Sequence, residues 1–141
     1  MNKMKLTVLS TAKNVSFVRS TVCAFATGLN PTMEVLDDIK TAVSEAVTNC
    51  VVHAYSGGEG YIDVEAVIED KEITITVSDT GIGIDNPEQA FEAYYTTKEE
   101  DGRSGLGFTL MRAFMDLVEL KSEKGIGTKV IMKKTLSLEN G

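Results

Sequence analysis

The stretch "YIDVEAVIEDKEITITVSDTGIGI", Tyr61 to Ile84, decides how the chain folds. Ile62, Val64, Ala66 and Ile68 alternate with Asp63, Glu65, Val67 and Glu69, a period of two that sends the two sets to opposite faces of a strand. After Asp70-Lys71 the alternation resumes, with Ile73, Ile75 and Val77 set against Thr74, Thr76 and Ser78. Two such runs joined by a two-residue turn predict an antiparallel hairpin with one buried face.

Working outward toward the N-terminus, "SGGEG" separates this hairpin from a segment of helical period. Asn30 reads as its cap and Pro31 as its first residue, and it runs to about Tyr55 with Leu36, Ile39, Val43, Ala46, Val47, Cys50 and Ala54 on the core face. An earlier helix runs from Asn14, its N-cap, to Gly28, carrying Val15, Val18, Val22, Phe25 and Leu29. "MKLTVLS" before it reads as an edge strand. Toward the C-terminus the pattern is lost from Thr80 to Ser104 except for a short helix around Pro87 to Tyr94, a length typical of a lid or a disordered segment. "GLGFTLMRAFMDLV" then predicts a helix aligning Leu106, Leu110 and Phe114, and "VELKSEKGIGTKVIMKK" a second hairpin. The expected fold is α+β: one domain, residues 1–141, forming a two-layer sandwich with helices on one face of a mixed, mostly antiparallel sheet.

At 141 residues the chain needs no staple, because folding at this size removes roughly two-thirds of the unfolded surface from water. Cys23 and Cys50 therefore read as small core residues. A net charge of −7 has the wrong sign for holding nucleic acid through counterion release. The N-terminus lacks the apolar run of a secretion signal and no stretch is long and apolar enough to span a bilayer, so the expected location is cytoplasmic, with no membrane partner.

Three clusters carry candidate chemistry. Glu45, Asn49 and His53 recur at four-residue spacing in "SEAVTNCVVHAY" and share one stripe of an otherwise apolar helix, the chemistry lying with Glu45 and Asn49 while His53 reads as a structural polar residue near the helix end. A carboxylate there borders solvent or faces a cleft holding a cation or donors. "DTGIGI" follows directly on a strand; Asp79 can accept a hydrogen bond from an amino group, while Gly81 and Gly83 suit unusual dihedrals or close approach of a ligand. It is no Rossmann fingerprint, since Asn86 replaces the third glycine. "GRSGLGFT", Gly102 to Thr109, runs into a helix whose free amides suit phosphate, with Arg103 available for a bidentate contact. It lacks the lysine of a P-loop.

Taken in order, Glu-x-x-x-Asn on a helix, Asp-x-Gly-x-Gly after a strand, a long lid and Gly-x-Gly at a helix start resemble the GHKL ATPase superfamily, with its Bergerat fold, from about Thr32 to Lys134. Within it, "SEAVTNCVVHAY", "DTGIGI", "YYTTK" and "RSGLGFTLM" are similar to the small anti-sigma serine kinases of the sporulation, sigma-F type. The resemblance implies ATP or ADP and Mg²⁺ as ligands, Glu45 as general base and Asn49 as magnesium ligand. It implies that Asp79 accepts from the adenine amine, that Gly81 and Gly83 belong to the same base-binding loop, Gly83 letting the ring lie close, and that Thr128 joins adenine through water. Thr96, Thr97, Lys98, Arg103, Ser104, Gly105, Leu106, Gly107 and Phe108 would form the lid's end and phosphate cradle, the lid spanning about 80–104. It further implies a homodimer pairing through its sheets near the N-terminus, a partner contact at Arg19, inhibition of a sigma factor, and phosphorylation of a serine on an anti-anti-sigma antagonist. A general-stress kinase of the same fold and a nucleotide-gated binding module without phosphotransfer are the alternatives; Glu45 weighs against the second, since binding alone needs no base.

Overall fold

The hairpin forms the centre of a five-stranded sheet in the computed structural model, which describes residues 1–55, 59–83 and 107–136. Strands β1 (Asn2–Leu9), β2 (Tyr61–Glu69), β3 (Glu72–Asp79), β4 (Leu117–Glu123) and β5 (Gly127–Thr135) lie in the order β1-β2-β3-β5-β4. All four pairings are antiparallel, so the sheet expected to be mixed has no parallel pair among the described residues. β1 occupies an edge, as its loose alternation suggested.

The register explains why the alternation was readable. Leu6, Val64, Val77, Val130 and Leu120 form one cross-sheet row, and Met4, Ala66, Ile75, Met132 and Val118 the next. Ile62, Val64, Ala66, Ile73, Ile75 and Val77 are all at most 1% exposed. A slip of one residue would send this whole set into water, which pins the pairing. Asp70 and Lys71 turn the hairpin with φ of 53° and 71°, the left-handed pair that a two-residue loop requires. Neither is glycine, and a left-handed L-residue costs about 1–2 kcal/mol. Lys71→Gly is therefore expected to raise stability by about 0.5–1 kcal/mol, seen as a higher urea midpoint with an unchanged slope.

Helices α1 (Lys13–Ala26), α2 (Met33–Asn49) and α3 (Gly107–Phe114) cover one face of the sheet, with α2 packed between the other two. α2 buries Val35, Ile39, Ala42, Val43, Ala46 and Val47 and continues into a π turn over Cys50–Ala54. Two caps differ from expectation. α1 begins after Ala12, because the Asn14 side chain instead donates to the Leu9 carbonyl at 2.8 Å. Asn30 sits left-handed at φ 56° after a 3₁₀ turn over Thr27–Leu29, and the cap of α2 is Thr32, which accepts from the Val35 amide at 3.2 Å. Thr32 is extended and supplies the capping hydroxyl, so the helix starts beyond Pro31. In α3 the deepest side chain is Met111, with Met115 just beyond the helix, whereas Leu110 and Phe114 are only half-buried; Leu106 lies outside the described residues.

Lys134 ties three elements together. Its ammonium lies 3.1 Å from Asp38 of α2 and donates to the Phe114 carbonyl at the end of α3. The pair is mostly shielded, with side-chain exposures of 14% and 21%. Lys134→Met leaves the carboxylate and the helix-end carbonyl without this donor, and a loss of about 2 kcal/mol is expected in denaturant melts. Among the described residues no helix is long and apolar enough to cross a membrane.

Candidate functional site

The core-facing row at one end of the sheet turns polar. Val8 and Ile62 are followed across the register by Asp79, Thr128 and Ser122. Asp79 is 8% exposed, the one buried charged side chain among the described residues. Its Oδ1 accepts from the Gly81 amide at 2.9 Å, and its Oδ2 lies 3.3 Å from Cys50 Sγ. Burial, and then the neighbouring carboxylate, hold the Cys50 thiol well above its ordinary pKa. Thr128 stands directly opposite Asp79, with its hydroxyl 2.8 Å from Ser122 Oγ.

The loop leaving β3 is threaded between the end of α2 and the β4–β5 turn. Ile82 donates to the Ala54 carbonyl and Gly125 donates to the Ile82 carbonyl, each at 2.7 Å. Tyr55 pins the same loop, its hydroxyl donating to Tyr61 O at 2.6 Å and accepting from the Thr80 amide at 3.0 Å. A Cβ on Gly81 would stand 2.0 Å from the Ala54 carbonyl oxygen, and one on Gly83 2.2 Å from that of Glu123. The two glycines expected to admit a ligand are thus already required by the protein's own backbone.

Glu45 and Asn49 lie one turn apart on α2, both half-buried, while Ala42, Val43, Ala46, Val47 and Cys50 go into the core. They edge the helix where the sequence left open solvent or a cleft. Asn49 immediately precedes Cys50, so the contact from Cys50 to Asp79 brings this helix edge to the polar end of the sheet row. His53 falls within the π turn. Gly107 opens α3, where it is buried, and Phe108 packs against the core. Thr96, Thr97, Lys98, Arg103, Ser104, Gly105 and Leu106, with most of the expected lid, lie outside the described residues. Arg19, on α1, is half-buried and donates to Ser44 at 3.3 Å and Ser16 at 3.1 Å, which seats it beside the residue preceding Glu45.

Cys50, Tyr55 and Ser122 join the site without having been singled out. Cys50 read as core, which its burial matches, yet it faces a carboxylate. Its place one residue after Asn49, on the continuation of the core face of α2, was the available signal. Ser122 becomes visible only once β4 is registered against β5.

A helical layer on an antiparallel sheet, with a buried aspartate ending a central strand beside a glycine loop, defines a class of nucleotide-binding domain. The chain belongs to the histidine kinase-like ATPase domain family, whose sequence profile matches residues 8–134. Within that family it is similar to proteins named anti-sigma F factor: 53% identical over 137 residues to that of Clostridium acetobutylicum, covering 97% of this chain and 96% of the relative. The Clostridium perfringens protein of the same name is also 53% identical over 137 residues, covering 96% and 98% of the two chains. Among solved structures, the RsbU and RsbW domains of a Mycobacterium tuberculosis protein match with a TM-score of 0.70 at 20% identity, over 98% of this chain and 33% of the other. That last likeness is one of fold.

Proposed function

We propose that the chain is an ATP-dependent anti-sigma factor that restrains a sporulation sigma factor of the sigma-F type and phosphorylates a serine of its anti-anti-sigma antagonist. The observation that carries this reading is the 53% identity to an anti-sigma F factor along nearly the full length of both chains. In this reading residues 1–141 act as one kinase domain with a lid over about 80–104, and the working form is a homodimer.

The residues present suit a nucleotide with a divalent cation. Asn49 offers a hard amide oxygen, and Mg²⁺ usually takes few protein ligands and completes its shell with phosphate oxygens and water. In this reading Asn49 and the nucleotide's own phosphates would be the ligands that hold the cation. When bound, ATP and Mg²⁺ supply an activated γ-phosphoryl group with its charge partly neutralised.

The chain's own residues then divide the work. Asp79 accepts from the adenine amine, with Thr128 beside it and Gly81 and Gly83 shaping the loop. Gly107 and Phe108, with Thr97, Arg103, Ser104, Gly105 and Leu106, hold the phosphates. Glu45 takes the proton that the attacking serine hydroxyl loses as its oxygen bonds to phosphorus and ADP departs. Arg19, fixed against α2, serves the sigma and antagonist contact. Choice between the two partners requires that each bind the ATP and ADP states with different affinity.

Purified chain mixed with the organism's sporulation sigma factor tests the regulatory half. Retention of sigma on the immobilised chain in Mg-ATP, and release on adding unphosphorylated antagonist, are expected. Sigma that never binds in any nucleotide state contradicts the anti-sigma assignment.

A further inference from the structure

The Asp79 carboxylate is gripped on both oxygens. The Gly81 amide holds Oδ1 at 2.9 Å and Cys50 Sγ meets Oδ2 at 3.3 Å. Between a thiol and a carboxylate only the thiol carries a hydrogen to share. Cys50 therefore donates. It is 5% exposed and forms no disulfide, so this is a fixed, water-excluded contact.

The second contact changes what the first can do. The carboxylate plane turns about the Cβ–Cγ bond, and one amide on Oδ1 restrains that rotation only in part. A donor on Oδ2 fixes the plane, and each oxygen keeps a lone pair for a further partner. Cys50 is also the first residue of the π turn whose last carbonyl, on Ala54, accepts from Ile82 at 2.7 Å. The end of α2 thus clamps the loop through one side chain and one backbone group. π turns of this kind recur at functional sites because they re-aim a few residues without breaking the helix.

We propose that Cys50 is a positioning residue for base selection: its thiol orients the Asp79 carboxylate so that a fixed lone pair meets the exocyclic amine of a purine nucleotide. The inference rests on the reading that Asp79 receives the adenine amine. A thiol is a weak donor, so the effect is one of selectivity rather than of all binding. ATP carries the amine and ITP replaces it with a carbonyl oxygen, which would oppose the carboxylate.

The test is titration of the full-length wild type, Cys50→Ala, Cys50→Val and Cys50→Ser with Mg-ATP and Mg-ITP, with thermal melts of each. Cys50→Ala and Cys50→Val are expected to lower the ATP-to-ITP affinity ratio by roughly five- to twentyfold, the loss that one orienting hydrogen bond produces. Cys50→Ser, which restores a donor, is expected to keep the ratio within about twofold of wild type. Two apolar variants of different volume guard against one failing to fold. The proposal is overturned if both keep the wild-type ratio, or if Cys50→Ser falls with them, since packing alone would then account for the residue. A wild type that binds ATP and ITP equally would instead remove the adenine reading of Asp79 beneath it.

Discussion

Glu45→Gln is expected to bind Mg-ATP within about twofold of wild type and to lose phosphoryl transfer by about 10²- to 10⁴-fold, the range a positioned general base contributes. The substitution keeps shape and hydrogen-bonding capacity on a half-buried edge of α2 and removes only the proton acceptor. Asn49, one turn along, gives the opposite pattern. Asn49→Ala should weaken nucleotide binding in Mg²⁺ and leave the metal-free affinity nearly unchanged, because in the proposed reading it removes the metal ligand and no group that touches the base. Fluorescent-nucleotide titration beside a single-turnover assay separates the two. Normal transfer by Glu45→Gln would assign the base elsewhere.

Gly81→Ala is expected to produce the largest loss of stability, about 3 kcal/mol, with nucleotide binding abolished in the fraction that folds. The added Cβ would lie 2.0 Å from the Ala54 oxygen and 2.5 Å from its carbonyl carbon, and neither atom can give way without unwinding the π turn. Relief by moving the loop instead breaks the Ile82–Ala54 and Gly81–Asp79 hydrogen bonds, which releases the carboxylate. Gly28→Ala is the matched control. Nothing stands within 4 Å of its added Cβ, and its stability should stay within about 0.5 kcal/mol of wild type. Denaturant midpoints for the pair decide the point; a Gly81→Ala protein as stable as wild type would mean that the loop is not clamped as described.

What the sequence made legible was whatever rests on local period. The β2–β3 hairpin, its Asp70-Lys71 turn and the inward-facing set from Ile62 to Val77 follow from alternation, because a half-buried strand has only one register that hides its apolar side. Helix ends were harder. Asn14 and Asn30 are good caps by composition, but a side chain reaching back to Leu9 and a left-handed residue before Pro31 engaged them otherwise. In the candidate site, Glu45, Asn49, Asp79 and the glycines were singled out by motif order. Motif order says nothing of what lies opposite, so the thiol of Cys50 on Asp79 Oδ2 and the hydroxyl of Ser122 beside Thr128 emerge only from packing. The same limit applies to Gly81 and Gly83. Their spacing suggested a ligand's approach, and packing adds that the direction a Cβ would take at each is filled by the backbone carbonyls of Ala54 and Glu123.

The central claim, an ATP-dependent kinase acting on its own sigma factor's antagonist, is tested most directly by incubating the chain with γ-labelled ATP, Mg²⁺ and the organism's anti-anti-sigma protein. Label is predicted to appear on one serine of that protein and to vanish with Glu45→Gln. Intact ATP binding with no label on the antagonist would contradict the account.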